Sequence, residues 1–394
     1  MQCMVALFFS IILETVSASP FRVLVFPHQG SYPIPQGKES IVSKVSITSE
    51  EVCHRYQAVL NSNQEWEKSG NLIESKKNYL LSTSLIGKNS FYFECSKPFK
   101  VIRDAKLEAY SYEGNFVASV DSVGATAAVQ IINLVEPEQY IQGVVPSEVG
   151  NNWPAEALKS QAVAARTFAW WTVLNQRSFA KTNFDLNDTV EYQAFLGVSK
   201  KTTLTDEAVN ATAHQVMKYQ GRVIKSYFSA DSGGTTESAL GAFGQDLPYC
   251  VSKVELYDVS KTKTAWEIKL SLNEIRLKIN NSIKSLEVLP GDLDESGRVS
   301  LVTFTLLNGK KAQLSGVAFR RALKLRSTLF SLKTETIKNQ DFITISGKGF
   351  GHGVGMAQIG AREYANQLGW NFDQILKFYY SGITLEAISN EYFE

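Results

Sequence analysis

The sequence predicts an α+β protein, in which an antiparallel, β-rich N-terminal region precedes a domain of mixed helices and sheet. Three observations lead to this prediction. Short apolar runs separated by turn-forming residues dominate residues 21–129. An alanine-rich segment at 154–175 has the composition and length of a long helix. Further strand-like and helix-like segments then alternate as far as residue 380.

The β-rich region contains strand-like runs at residues 21–26, 41–47 and 80–86, with Gly, Pro, Asn and Ser between them. Residues 106–117 have the pattern of a β-hairpin, with its turn at Glu113 and Gly114. We therefore predict an N-terminal β-rich region over residues 19–105, followed by one larger domain over residues 106–394.

The larger domain opens with a predicted strand at 127–135 and a short helix at 138–145, followed by a polar loop at 146–150. Pro154 suits the first position of the long helix, and Glu156 lies in its first turn, where the helix dipole favours a negative charge. Later patterns predict strands at 223–229, 266–272, 299–307 and 342–346, and helices at 272–283, from 315 onwards, at 358–368 and at 372–380. A glycine-rich loop covers residues 347–360.

Charge and hydropathy indicate where the protein is located and which classes of partner it does not bind. The chain has 40 basic and 39 acidic residues, a net charge of +1, which gives no electrostatic basis for binding nucleic acid or an anionic membrane. The apolar run at 4–13 and the small residues at 16–18 predict a signal peptide over residues 1–18, cleaved near Ala18. We therefore expect export to the periplasm, cell wall or medium; the alternative is the apolar N-terminus of a cytosolic protein. No later segment predicts a transmembrane helix.

The chain has four cysteines, and Cys3 lies in the predicted signal peptide. Cys53 and Cys95 are the favoured disulfide pair because both lie in the N-terminal region; the alternative is that these two and Cys250 are buried, reduced thiols. No Cys and His residues have the spacing of a zinc site, and the acidic turn at 290–297 lacks the full spacing of a calcium loop. We predict no metal ion and no cofactor.

Glu148 is the strongest candidate for chemistry. It lies between apolar residues, which raise the pKa of a carboxyl by desolvation, and the N-terminus of the long helix, which favours the charged form. A carboxyl with a raised pKa is suited to protonating a glycosidic oxygen. The alternative is that Glu148 caps the long helix or pairs with Arg166.

Four blocks, in this order, resemble the SpoIID/LytB family of peptidoglycan-acting proteins. They lie at 133–148, ending in Val-Val-Pro-Ser-Glu148, at 153–169, at 229–237 followed by Leu247-Pro-Tyr249, and at 349–361 preceded by 326–330. The resemblance covers about residues 110–380. It implies a lytic transglycosylase that cleaves between N-acetylmuramic acid and N-acetylglucosamine in glycan strands stripped of stem peptides. The products would have 1,6-anhydro ends, and Glu148 would act first as acid and then as base.

The resemblance also implies substrate-binding roles for residues in the same blocks, namely Ser147, Arg166, Ser232, Gly233, Gly234, Thr235, His352 and Gln358. Three positions depart from the family pattern. Residues 184–193, where some members have a metal site, contain no Cys or His, so the resemblance implies no zinc here. Ala357 replaces a usual serine, and His214 a common glycine.

Two other functions are open from the sequence. As a relative of amidase enhancers, the protein would bind glycan without cleaving it and present it to a cell-wall amidase. As a two-carboxylate lysozyme, it would use Glu148 together with Glu156 or Glu237 and leave reducing ends.

Overall fold

A computed structural model of the protein describes residues 19–25, 44–63, 65–87, 89–102, 109–123, 126–179, 183–189 and 192–388. The α+β class is confirmed. The predicted signal peptide lies outside the described residues. None of the helices within these ranges has both the length and the hydrophobicity needed to cross a membrane.

A nine-stranded sheet forms the N-terminal part of the fold and continues across residue 105. Its strand order is β6-β5-β2-β4-β7-β8-β1-β9, and β3 pairs with β2; all pairs are antiparallel except β1 with β9. The elements are β1 (Phe21–Leu24), β2 (Lys44–Leu60), β3 (Trp66–Ser82), α1 (Thr83–Ile86), β4 (Phe91–Cys95), β5 (Phe99–Ile102), β6 (Tyr110–Tyr112), β7 (Asn115–Val123), β8 (Thr126–Val135) and β9 (Leu186–Asn187).

The predicted hairpin at 106–117 is wrong. β6 pairs with β5, whereas β7 pairs with β4 and β8. The chain does turn at Gly114, but a Cβ at that position would lie 2.2 Å from the carbonyl oxygen of Leu134. The turn is therefore pressed against β8, and β7 takes its hydrogen bonds there.

The predicted strand at 80–86 is half right, because β3 ends at Ser82. The Ser82 hydroxyl accepts a hydrogen bond from the backbone N–H of Leu85 and so caps the helical turn α1. The predicted Cys53–Cys95 disulfide is confirmed: the two residues face each other on β2 and β4, with their Cα atoms 4.4 Å apart. Cys250 is a buried, free thiol.

A helical layer covers one face of the sheet, and one continuous apolar core lies between them. Its helices are α2 (Pro137–Glu148), α3 (Ala155–Phe179) and α4 (Thr203–Ala211). In α2, Tyr140, Ile141, Val144 and Val145 are fully buried, at the spacing of one helical face. The alanines of α3 at positions 162, 164, 165 and 169 are also fully buried, which lets neighbouring elements approach on more than one side.

The predicted loop at 146–150 is wrong in its first half, because α2 continues to Glu148. Pro146 lacks the N–H that would complete one bond of the last turn. The turn still closes, since the backbone N–H of Val149 donates to the Val145 carbonyl at 3.1 Å. Glu148 therefore lies at the end of a helix and not on a loop.

Residues 265–348 form a compact part with its own apolar core. It comprises two three-stranded antiparallel sheets, β13-β18-β17 and β14-β15-β16. The predicted helix at 272–283 is too long: α6 ends at Lys278 and β14 follows. The elements are β13 (Ala265–Ser271), α6 (Leu272–Lys278), β14 (Ile283–Glu287), β15 (Leu301–Leu306), β16 (Lys311–Ser315), α7 (Gly316–Leu323), β17 (Phe330–Ile337) and β18 (Gln340–Lys348).

The chain segments before and after the compact part at 265–348 meet beside α3. β12 pairs in parallel with β19, and β10 pairs with β11 and β20. A third apolar core joins these segments to α3. The elements are β10 (Gln215–Tyr219), β11 (Arg222–Val223), β12 (Phe228–Ser229), α5 (Ala239–Phe243), β19 (Met356–Ala357), α8 (Gln358–Leu368), α9 (Phe372–Tyr379) and β20 (Thr384–Ala387).

Candidate active site

Glu148 is held by two donors from distant parts of the chain. Its Oε1 accepts a hydrogen bond from the backbone N–H of Ala194 at 2.6 Å. Its Oε2 accepts one from Nε2 of Gln358 at 3.4 Å. The residue as a whole is half-buried. The carboxyl is therefore fixed in position while part of the side chain remains accessible.

Burial raises the pKa of the Glu148 carboxyl, and the hydrogen bonds from Ala194 and Gln358 only partly offset that rise. The position of Glu148 in its helix also raises its pKa. It lies at the C-terminal end of α2, where the helix dipole disfavours a negative charge. Glu148 therefore keeps its proton to a higher pH than an ordinary glutamate does.

Gln358 links Glu148 to the long helix. It is the first residue of α8, directly after β19, and it is 5% exposed. Its Nε2 also lies 3.4 Å from Oε1 of Gln161 on α3. Gln161 is 1% exposed and was not predicted as a site residue. The only signal in the sequence was a large polar side chain within an alanine-rich helix.

Arg166 does not approach Glu148 through any contact that the structure describes. Its guanidinium is fully buried and donates to both carboxylate oxygens of Glu138, at 2.8 and 2.7 Å. It also donates to the carbonyls of Gln215 and Val209, both at 3.3 Å. The alternative of a Glu148–Arg166 pair is therefore wrong. This geometry favours a role in fixing α2 against α3 over direct contact with a ligand.

The predicted binding loop at 232–235 is held mainly by protein contacts. The Ser232 hydroxyl donates to Oε1 of Glu255 at 2.7 Å, and Arg298 donates to the carbonyls of Ser232 and Thr235 at 2.6 and 2.8 Å. The N–H groups of Gly233 and Gly234 donate to Asp231 and Ser232. Arg298, which comes from the compact part at 265–348, is not among the residues that the sequence predicts for this site. Substrate binding by this loop stays a prediction.

Gly233 needs the absence of a side chain. Its φ of 74° lies in the left-handed region, and a Cβ there would lie 3.0 Å from the backbone nitrogen of Gly349. The loop at 232–235 and the glycine-rich loop are thus in backbone contact. Ser147, beside Glu148, donates its hydroxyl to the Gly143 carbonyl at 2.8 Å within α2.

His352 is a neutral residue in the glycine-rich loop. Burial, with the nearby Arg320 and Arg298, lowers its pKa to about 3. Its Nδ1 accepts a hydrogen bond from the backbone N–H of Val354 at 3.0 Å. Its ring meets those of Tyr227 and Phe243 edge to face. The described hydrogen bonds include none between His352 and Glu148, so its role in binding stays a prediction.

The two candidates for the second carboxylate of a lysozyme, Glu156 and Glu237, are engaged in other contacts. Glu156 pairs with Lys159 at 2.7 Å and accepts the backbone N–H of Phe372 at 2.8 Å. Burial raises the pKa of Glu237 to about 7, and its hydrogen bond with Asp294 adds to that rise. Among the described residues, no acidic group affects the pKa of Glu148. The same part of the chain contains no cluster of His, Cys, Asp and Glu able to hold a metal ion.

Fold and site together define an α+β protein with one shielded carboxylic acid at a helix end. Family models extend this description: one described as "Stage II sporulation protein" (SpoIID) matches residues 125–219, and one described as "Domain of unknown function (DUF8618)" matches residues 251–355. The first covers α2, α3 and α4, and the second covers the whole of the compact part at 265–348.

Similarities to individual proteins support the match to the SpoIID family model. The chain is 33% identical to Stage II sporulation protein D of Bacillus subtilis, over 67% of this chain and 79% of that protein. It is 36% identical to an uncharacterized protein of Brachyspira hyodysenteriae, over 65% of this chain and 68% of that protein. It is 28% identical to the amidase enhancer of Bacillus subtilis, over 63% of this chain and 40% of that protein. The chain belongs to the SpoIID/LytB family, as its sequence blocks predict.

Proposed function

We propose that this protein is an exported lytic transglycosylase of peptidoglycan glycan strands. The observation that carries the proposal is the environment of Glu148, a half-buried glutamate whose pKa is raised by burial and which has no acidic neighbour among the described residues. Such a group holds its proton to a higher pH than an ordinary glutamate does, as a general acid requires. Family membership and the similarity to a protein named amidase enhancer support a role at the cell wall.

A single carboxyl is sufficient when the substrate supplies its own nucleophile. Protonated Glu148 gives its proton to the glycosidic oxygen, and the bond from that oxygen to C1 of N-acetylmuramic acid breaks. The C6 hydroxyl of the same sugar then attacks C1, forming the 1,6-anhydro ring. The Glu148 carboxylate removes the hydroxyl proton and returns to its starting state. Water is not consumed, so the second carboxylate of a hydrolase has no task.

Ala194 and Gln358 orient the carboxyl through both steps. Their N–H groups donate more strongly to the carboxylate that exists between the two proton transfers than to the neutral acid. They therefore stabilise the charged intermediate state of Glu148, while burial of the side chain restores its affinity for a proton. The two opposing influences keep the pKa within reach of both donation and removal.

Export follows from the same proposal, because peptidoglycan lies outside the cytoplasm. Cleavage near Ala18 leaves β1 in place, and Phe21 of that strand is fully buried against β8 and the helical layer. We propose residues 19–105 as the N-terminal β-rich region and residues 106–394 as the larger domain. The nine-stranded sheet contains strands from both. The second candidate function is a glycan-binding enhancer of a cell-wall amidase, favoured by the named relative.

Product analysis separates these functions. Glycan strands freed of stem peptides are incubated with the unmodified protein, with Glu148→Gln, and with Glu156→Gln as the matched control. We expect 1,6-anhydro ends, detected by mass spectrometry, from the unmodified protein and the control only. Reducing ends would indicate a lysozyme. Binding of glycan without cleavage by the unmodified protein would indicate the enhancer.

A further inference from the structure

Lys225 is a half-buried lysine whose ammonium lies against two aromatic rings. It lies between β11 and β12, and its Nζ is 4.4 Å from the ring centroid of Trp171 and 4.8 Å from that of Tyr227. Among the described residues, no carboxylate lies within ion-pair distance of it. Burial lowers its pKa, and no acidic group offsets that effect. The chain thus keeps a desolvated positive charge that no contact within the described fold explains.

The two rings satisfy this charge only in part. An ammonium is attracted to the face of an aromatic ring, and the attraction grows as water is removed. An ammonium also has three N–H donors, and the aromatic faces offer them no strong acceptor. An anion that reaches Lys225 would therefore gain an ion pair and hydrogen bonds between two aromatic walls.

The segment that contains Lys225 is connected to Glu148, because it leads into β12, which pairs with β19 directly before Gln358. Gln161, Phe168 and Trp171 lie on one face of this helix, at spacings of seven and three residues. The chain segment from Lys225 to Ser229 runs beside that face. The Ser226 hydroxyl donates to the Ala164 carbonyl at 2.8 Å, and the rings of Tyr227 and Phe228 lie 6.2 and 6.4 Å from that of Phe168.

The two groups are attached to opposite ends of this face. Gln161 contacts the Gln358 that holds Glu148, and Trp171 contacts Lys225. At a rise of 1.5 Å per residue, the ten positions from Gln161 to Trp171 span about 15 Å along the helix axis, which is comparable with the length of a short oligosaccharide.

We propose that Lys225, Trp171 and Tyr227 form a subsite for the lactyl carboxylate of an N-acetylmuramic acid residue that carries no stem peptide. The identity of the sugar rests on the proposed function. The aromatic faces suit the apolar face of a sugar ring, and the ammonium suits the carboxylate. In a strand that keeps its stem peptides, the lactyl carboxyl is an amide without charge. The subsite thus selects stripped strands through charge.

Binding to the Glu148→Gln protein tests the subsite without cleavage. The ligands are a stripped glycan oligosaccharide and the same oligosaccharide with its carboxyl groups reduced to alcohols. We expect the further change Lys225→Met to weaken binding of the acidic ligand about tenfold, the size expected for a hydrogen-bonded charge pair, and to leave the reduced ligand unaffected. Trp171→Leu should weaken the binding of both ligands.

The matched control is Lys269→Met. Lys269 also lies over an aromatic ring, at 5.4 Å from Phe342, but it pairs with Glu335 at 2.8 Å. We expect it to change neither affinity. Equal effects of Lys225→Met on the two ligands would overturn the subsite. An acidic ligand that binds neither the Glu148→Gln protein nor its Lys225→Met variant would overturn it as well. Because these are binding measurements, a failure of catalysis by the unmodified protein would leave the difference between the ligands intact.

Discussion

Glu148 and Glu237 are both glutamates whose pKa is raised by burial, yet their surroundings differ. Glu148 receives two neutral N–H donors and has no acidic neighbour among the described residues. Glu237 is 3% exposed and belongs to an acidic cluster, defined here as Glu237, Asp231 and Asp294 around Arg298. A raised pKa alone does not identify a catalytic acid. Accessibility and the absence of a competing proton acceptor distinguish Glu148.

The acidic cluster instead joins two parts of the chain. The Ser296 hydroxyl donates to Glu237 and lies equally close to Asp294, at 2.7 Å in each case. Glu255 accepts hydrogen bonds from Ser232, Tyr364 and Tyr379. Arg298 donates to the backbone of the loop at 232–235. These contacts attach the compact part at 265–348 to the loop beside the candidate site, so the cluster is expected to act through stability.

The largest effect is expected at Glu148. The substitution Glu148→Gln should lower the rate of anhydro-end formation by about 10²- to 10⁴-fold, because the amide cannot transfer a proton. The free energy of unfolding should change little, since Gln resembles the protonated acid in shape and hydrogen bonding. Product rates and a denaturant titration measure the two quantities. A Glu148→Gln protein that keeps its rate would remove the distinction between the two glutamates.

The substitution Arg298→Met should lower the free energy of unfolding by about 2–5 kcal/mol, because two carbonyl groups lose the hydrogen-bond donor that a buried guanidinium supplies. It leaves Glu237 and Asp294 without their cation and leaves two carbonyls without a donor. Chemical denaturation measures the change. Arg321→Met, at an exposed position of the same part, is the control and should stay within about 0.5 kcal/mol. Equal stability of the two variants would contradict the structural role of the cluster.

Glu237 should make stability depend on pH. Its pKa is raised to about 7 in the folded protein, so the folded state binds more protons than the unfolded state between about pH 4.3 and 7. Its contribution is therefore present at low pH and is lost as the pH rises through 7, by roughly 3–4 kcal/mol. Glu255, with a pKa also near 7, acts in the same direction.

Glu237→Gln keeps a proton-donating group at every pH and should flatten part of this dependence. Thermal melts at pH 5 and pH 8 would show a smaller difference for the variant than for the unmodified protein. The exposed Glu295→Gln is the control and should leave the difference unchanged. An equal pH dependence in all three proteins would mean that Glu237 does not hold its proton in the folded state.

The smallest effect is expected at Gln358. The substitution Gln358→Met removes a donor that lowers the pKa of Glu148. We expect a fall in kcat of about fivefold, within the range of one supporting hydrogen bond, and a shift of the alkaline limb of the pH–rate profile to higher pH. A fall in rate with an unmoved limb would indicate a purely structural role for Gln358.

The sequence was informative where a local pattern decides the structure. The strand at 127–135 and the helix at 154–175 were recognised because their apolar and alanine patterns match their environment. Glu148 was identified as a candidate from its apolar neighbours, and the disulfide from two cysteines in one region. The helical position of Glu148 was missed, because Pro146 suggested a break that the last turn of α2 tolerates.

The features that the sequence did not predict depend on contacts between residues far apart in the chain. The two hydrogen bonds that partly offset the raised pKa of Glu148 come from Gln358, which lies 210 residues away, and from Ala194, which acts through its backbone N–H. Arg298 reaches the loop at 232–235 from a part of the chain with no recognisable motif. The hairpin at 106–117 failed because β8, and not the local turn, provides the partner of β7. Tertiary pairing of this kind leaves no local trace.

The most direct test of the proposed chemistry is the source of oxygen at the new glycan end. Stripped strands are cleaved by the unmodified protein in water enriched in oxygen-18, and the products are weighed by mass spectrometry. Attack by the C6 hydroxyl predicts 1,6-anhydro ends with no oxygen-18, formed only when Glu148 is present. Reducing ends that carry one oxygen-18 would show attack by water and would contradict the single-acid account of this site.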